Sequence, residues 1–170
     1  MNVKRRKQGG FSMVELMIAS AVLLFGVVAV VQLVPEAMRS NLRNRYDSSA
    51  VVIAERLLDQ MLSQPITATQ FTDADGRVIL LGGAAGAQGN ALQVVNTSVR
   101  IDFTAALVAG YNFRYVDPNE AAGTQYEVRW TVITQLQGAT PASKRYIVGA
   151  WRRDPRFTSP PVTVEAWQQR

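Results

Sequence analysis

From Phe11 to Val34 the chain is an almost unbroken apolar run, interrupted by a single ionisable residue, Glu15. No charge occurs between Glu15 and Glu36, so a membrane-spanning segment is expected from Leu16 to about Val34, close to the roughly 20 residues a bilayer requires. A carboxylate costs roughly 2.5 to 3.5 kcal/mol at the centre of such a helix and less near its end, so Glu15 is by default a functional residue whose charge needs compensation. The preceding segment is a basic, polar leader carrying Lys4, Arg5, Arg6 and Lys7 and ending at Gly10. That flanking charge places the N-terminus in the cytoplasm. Arg39, Arg43 and Arg45 weaken the asymmetry, with Glu36 and Asp47 mixed among them. Within the span, Ala19, Ser20, Ala21, Gly26 and Ala29 are small enough for helices to approach closely.

Two ordinary explanations compete for this N-terminus. A secretory signal peptide has an h-region of about 7 to 15 apolar residues before a small-residue cleavage site, and Ala19-Ser20-Ala21 offers such a site. The apolar run nevertheless continues well past Ala21, and Glu15 lies where an h-region is purely apolar. An uncleaved signal anchor requires neither Gly10 nor Glu15.

The stretch Gly10-Phe11-Ser12-Met13-Val14-Glu15-Leu16 resembles the processing site of the type IV pilin superfamily, the prepilin-type cleavage and methylation motif. The resemblance implies that a membrane prepilin peptidase removes residues 1–10 by cutting after Gly10 and then N-methylates Phe11. It further implies that Glu15, fifth in the mature chain, neutralises the N-terminal amine of a neighbouring subunit. Removing one partner of a buried ion pair strands the other. The partners implied are the peptidase, other pilins or pseudopilins meeting through the N-terminal helix, and an inner-membrane assembly platform. The location implied is the inner membrane, with the head periplasmic, and then a pilus or pseudopilus. The family also tends to carry a helix-disrupting proline near the position of Pro35, which here falls slightly further along. Proline in a helix interior removes a hydrogen bond and clashes with the preceding turn, so a kink or local unwinding is expected by Met38.

At 170 residues the chain suits one modest domain plus an appendage. Its net charge of +5 is mostly a leader property: four of 18 basic side chains lie there, leaving 14 against 13 acidic ones. There is no Cys and no His, which excludes thiol nucleophiles, imidazole bases and Cys or His metal sites. No disulfide is available either, so the head must rest on its hydrophobic core.

Residues 35–63 turn amphipathic, with Tyr46, Ala50, Ile53, Leu57 and Met61 at spacings of three and four, and continue the helix into the head. Gln64-Pro65 ends it. Thr72-Asp73-Ala74-Asp75-Gly76 has the composition of a turn. As a calcium loop it fails, because Phe71 and Gly82 would occupy the first and twelfth ligand positions. Residues 82–90, all small or polar, are expected to be a flexible connection without a phosphate-binding pattern.

Strands are expected over Val94 to Phe103, Tyr111 to Val116, Gln125 to Leu136, Lys144 to Arg152 and Val162 to Trp167. Tyr126, Val128, Trp130 and Val132 point to one face of their strand, and Glu127, Arg129 and Thr131 to the other. Gly138-Ala139-Thr140-Pro141 turns the chain between the third and fourth strands. The expected fold is α+β: a long N-terminal helix, membrane-spanning in its first half, packed by its second half on an antiparallel sheet head formed by residues 64–170.

The pairing of Tyr126-Glu127-Val128-Arg129-Trp130-Thr131-Val132 with Lys144-Arg145-Tyr146-Ile147-Val148-Gly149-Ala150-Trp151 resembles the heads of V-class minor pilins and I-type pseudopilins of type II secretion. Three function classes follow. The first is a structural subunit, a minor pilin in pilus initiation or at the tip, or alternatively a secretion pseudopilin. The second is an anchored periplasmic hydrolase, for which no Gly-x-Ser-x-Gly or Ser-x-x-Lys motif exists. The third is nucleic-acid binding through Lys144, Arg145, Arg152, Arg153 and Arg156 beside Trp151, which the nearly neutral mature chain disfavours. No catalytic residue, metal or cofactor is expected.

Overall fold

Helix is the expected state of residues 13–34, because an apolar backbone in lipid must satisfy its own polar groups. The computed structural model describes residues 12–117, 124–153 and 160–170, the side chains at 42, 43, 45 and 46 excepted. It contains one helix, α1 (Met13–Leu62), and nine strands among those residues. The chain divides into two units, Met1–Leu42 and Arg43–Arg170, and α1 contributes to both.

In the first unit every described side chain from Ser12 to Asn41 is exposed. The stretch Met13–Asn41 is long and apolar enough to cross a membrane, with a mean hydropathy of 2.6 over an 18-residue window within it. A lipid environment would cover what the polypeptide leaves open. Pro35 lies inside α1, which is helical on both sides of it. A proline forfeits one backbone bond of a long helix, and the turns that flank Pro35 remain helical.

The second unit is built on β7 (Gln125–Gln137) and β8 (Thr140–Arg152). They pair antiparallel from Tyr126↔Arg152 to Gln137↔Thr140, so Gly138 and Ala139 alone form the turn. Thr140 and Pro141, expected in that turn, belong to β8; a two-residue loop beginning with glycine suffices for a hairpin. β9 (Val162–Gln169) pairs with the far side of β8. The other side of β7 is shared end to end by β6 (Asn112–Val116) and β3 (Gly86–Gly89). β1 (Gln70–Thr72) and β2 (Val78–Leu80) form one small hairpin, and β4 (Leu92–Val95) and β5 (Ser98–Ile101) another. The architecture is α+β with an antiparallel sheet, as the patterning predicts.

Two departures concern strands. Residues 82–90 are not merely a connection, because β3 lies within them and pairs with residues Thr131 to Thr134 of β7. Backbone pairing needs no bulky side chain, so a run of Gly and Ala can hold an edge. The single strand expected from Val94 to Phe103 is two, folded back at Asn96 and Thr97, both of which have positive φ.

The sheet buries both faces. Toward α1, Tyr126, Val128, Trp130, Val132, Tyr146, Val148 and Ala150 pack with Ala50, Ala54, Leu57, Leu58 and Met61. Each large side chain so buried contributes about 1.5 to 3 kcal/mol. The Trp130 indole also donates to Leu80 O at 2.8 Å, which fixes β2 over the core. On the opposite face, Ile101 and Phe103 close over Ile147, with Val99, Ile133 and Trp151 around them. Gly149 lets that layer approach: a Cβ there would lie 2.9 Å from the Phe103 ring and 3.0 Å from Ile101. Glu127, Arg129 and Thr131 are therefore buried rather than solvated.

Candidate functional site

Ser12 and Glu15 are joined at the start of α1. Ser12 Oγ accepts from the Glu15 amide at 3.1 Å, and Glu15 Oε2 accepts from the Ser12 amide at 3.4 Å. Reciprocal bonds of this kind form a capping box, in which a Ser at the cap and a Glu three residues later satisfy two of the donors a helix leaves open. The carboxylate also sits at the positive end of the helix dipole, where a negative charge is stabilised. The Ser-x-x-Glu spacing is plain in Ser12-Met13-Val14-Glu15, yet the intramembrane charge alone does not suggest it. Gly10, Phe11, Lys4, Arg5, Arg6 and Lys7 lie outside the described residues.

The five small residues of the span do not share one face. At 3.6 residues per turn, Ala19, Gly26 and Ala29 fall with Glu15 inside an arc of about 80°, while Ser20 and Ala21 point elsewhere. Ser20 turns its hydroxyl back to Leu16 O at 2.8 Å, which hides that polar group within its own helix. One stripe of α1 thus combines the carboxylate with the positions of least bulk.

In the head, the candidate ligand loop and the candidate basic strip are both accounted for internally. Asp73 Oδ1 accepts from the amides of Asp75 and Arg77, and its Oδ2 accepts from Arg77 Nε at 2.7 Å. Burial alone would raise the Asp73 pKa, but the Arg77 amide and guanidinium outweigh it and hold the carboxyl below its ordinary value. Asp75 binds the other end of the same guanidinium. These carboxylates close a β1–β2 turn around an arginine, and no cluster of three potential metal ligands occurs among the described residues.

The basic strip does not form one surface. Lys144 is fully buried and donates to Ala68 O, Leu81 O and Gly82 O at 2.6, 3.1 and 3.0 Å. Arg152 is buried. Arg145 pairs with Glu165 and lies over Trp167, while Arg153 pairs with Glu127 and lies over Trp151. Arg156 lies outside the described residues. Strand alternation separates even from odd positions, so a run that is contiguous in sequence is divided between the two faces of the sheet.

Sequence inspection also passes over Asn90. Its Nδ2 donates to Tyr111 O and Trp130 O, and its Oδ1 accepts from Val108. This amide joins the end of β3 to the approach of β6 across β7. Gly89 makes the junction possible, because a Cβ there would stand 2.5 Å from Trp130 O. The signal available was a Gly-Asn pair ending a small-residue run.

No curated protein and no solved structure matches the chain significantly. The prokaryotic N-terminal methylation motif matches residues 5–31, which span Arg5, Arg6 and Lys7 of the leader, Gly10, Phe11, the Ser12–Glu15 box and the small-residue stripe. The motif points to a structural subunit rather than an enzyme, processed by a prepilin peptidase and associating with other pilins in a membrane-embedded assembly. At its N-terminus, this chain carries the prepilin motif of type IV pilin-like proteins.

Proposed function

We propose that this chain is a minor pilin, cut after Gly10, N-methylated on Phe11 and drawn from the inner membrane into a type IV pilus at its initiation or tip. Before extraction the leader lies in the cytoplasm and the head in the periplasm. The observation that carries the proposal is Glu15, a lone carboxylate held by Ser12 at the head of an exposed apolar helix. The Ser12 amide is a weak partner at 3.4 Å. A neighbour's N-terminal amine offers a full opposite charge, and charge-assisted bonds are about twice as strong as neutral ones. Glu15 would therefore exchange one partner for a better one as α1 enters a helical bundle, its small-residue stripe allowing close approach. Pro35 would act as a point of compliance during that extraction.

Two variants separate the cap from the charge. Glutamine serves in a capping box as well as glutamate, so Glu15→Gln should keep the helix start and lose only the ion pair. Both Glu15→Gln and Glu15→Val should remain at wild-type level in the membrane and fall at least about tenfold in the sheared pilus fraction, the loss expected when about 1.4 kcal/mol of pairing disappears. Normal incorporation of Glu15→Gln would remove charge pairing from the account. Recovery of the wild-type chain with a type II secretion pseudopilus instead of a surface pilus would assign it to protein export.

A further inference from the structure

β9 ends the sheet on one side, and no described strand follows it. It pairs with β8 over eight residues without a bulge, and it contains no Pro and no Lys, with Glu165 its single charge. Edge strands usually carry such devices, because their unpaired backbone groups recruit another strand. Hydrogen-bonded pairs alternate along an antiparallel ladder, and the Arg170 amide donates to Ala142 O at 3.2 Å. The even-numbered residues of β9 therefore turn N–H and C=O toward β8, and Thr163, Glu165, Trp167 and Gln169 turn theirs outward. On the opposite side of the sheet the Trp130 amide donates to Tyr111 O at 3.1 Å, so Asn112, Arg114 and Val116 are the residues of β6 that point away from β7. Neither set has a backbone partner among the described residues.

The two edges fit each other. β6 and β8 run antiparallel to β7, and β9 runs antiparallel to β8, so β9 runs opposite to β6. A second copy in the same orientation thus brings its β6 beside β9 as the next antiparallel strand. Both sets of outward residues carry their side chains on the face turned away from α1, since the residues between them, Val164 and Ala166 on β9 and Phe113 and Tyr115 on β6, pack on the α1 side. On that outer face Trp167 and Val116 are 54% and 56% exposed, apolar surface at both edges that pairing would cover. Glu165 accepts from Arg145 through Oε2 and remains 45% exposed. Arg114 is exposed and forms no ion pair among the described residues. Setting Glu165 opposite Arg114 joins opposite charges directly across the strands, a favourable cross-strand pair. It also sets Thr163 opposite Val116 and Trp167 opposite Asn112. Glu165 lies level with Thr131 across β8, and Arg114 lies level with Glu127, so this register displaces the second copy by four residues, about 13 Å along the strands. Unlike edges that meet with such a displacement do not close into a ring and extend as a helix.

We propose that β9 of one subunit receives β6 of a second copy of this chain, joining neighbouring heads into one continuous sheet in the Glu165–Arg114 register. The common orientation of the two copies rests on the assembly reading above. The chain has no Cys, so an introduced pair reports without background. Full-length Thr163→Cys and Val116→Cys chains are coexpressed in native membranes and mildly oxidised. Directly opposed residues of a hydrogen-bonded pair stand about 5.5 Å apart at Cα, within disulfide reach. The expected product is a disulfide-linked dimer from the mixture, none from either variant alone, and a ladder of larger species from a chain carrying both substitutions. Adding Arg114→Glu to the Val116→Cys chain should lower the dimer yield about fivefold, and adding Glu165→Arg to the Thr163→Cys chain should restore it. A mixture that cross-links no better than Val116→Cys with Gln93→Cys, an exposed position on β4, overturns the contact. So does a yield that Arg114→Glu leaves unchanged, or a dimer formed by either variant alone. Leader removal is read from the same gel: processed chains without the dimer refute the sheet contact alone, whereas a dimer of unprocessed chains keeps the contact and refutes the assembly reading.

Discussion

Replacing Glu127 by alanine should lower the unfolding free energy by about 3 to 5 kcal/mol, the cost of stranding a buried charge. Glu127 Oε1 accepts from Arg129 Nε and its Oε2 accepts from Arg153 Nε at 2.7 Å. The Arg129 side chain is only 3% exposed, so its charge has no route to water when the carboxylate is removed. Its Nη1 is held by Asp102 O and Ala105 O at 3.1 and 2.9 Å, which prevents it from swinging out. Arg153 is a different case. At 48% exposure it makes a surface pair worth less than about 1 kcal/mol, and Arg153→Ala should lie within that of wild type. Urea unfolding of the full-length protein in detergent, followed by tryptophan fluorescence, measures both. A Glu127→Ala loss no larger than that of Arg153→Ala would contradict the buried pair.

The same carboxylate gives the head a signed pH dependence. Burial pushes the Glu127 pKa up, but the Arg153 and Arg129 hydrogen bonds outweigh it and leave it below its ordinary value of 4.5. A carboxyl depressed in the fold contributes stability that is present above the unfolded value and is lost as pH falls through the folded one. The gap between wild type and Glu127→Ala should hold at neutral pH and close as pH drops below 4.5.

Lys144→Met should cost about 3 kcal/mol, because three buried carbonyls lose their donor at once and each unmade bond costs about 1 kcal/mol or more. Ala68 follows the end of α1, and Leu81 and Gly82 follow β2, so one ammonium joins three segments to β8. Desolvation lowers the Lys144 pKa from its ordinary 10.5. Between the lowered value and 10.5 the unfolded chain binds more protons than the folded one, so stability rises with pH across that window. The gap between wild type and Lys144→Met should therefore widen as pH climbs toward 10.5. A gap that narrows would show that the fold favours the ammonium over the amine. Lys144 is also the one lysine after residue 7, so native mature protein should resist amine acylation at that side chain and urea-unfolded protein should not.

The parts of this fold that were legible in the sequence are those set by local periodicity. The apolar run, the stripe of Ala50, Ile53, Leu57 and Met61, and the alternation in β7 each announce a face, and that face is where the core forms. What stayed hidden depends on chain segments distant in sequence. Glu127 and Arg129 look like a solvated strand face until Asp102, Phe103 and Ala105 close over them. The Lys144-Arg145 pair looks like surface charge until the β2 segment supplies carbonyls for one and Glu165 a partner for the other. β3 escaped notice because Gly and Ala have low strand propensity, although an edge pairing requires only backbone. The hairpin turn at Asn96-Thr97 lacks the glycine that usually marks one. At the N-terminus the reverse holds: Ser12 and Glu15 are three residues apart, and their box was written locally, beneath a stronger membrane signal.

Processing at Gly10 is the step on which the whole assembly account depends. The most direct test is the intact mass and N-terminal sequence of the protein from its native membrane, with and without the prepilin peptidase. The account predicts a peptidase-dependent chain beginning at N-methylated Phe11, ten residues shorter than the precursor. A chain that still begins at Met1 in the presence of the peptidase, or one cut after Ala21, would contradict it and make α1 a plain anchor or a signal sequence.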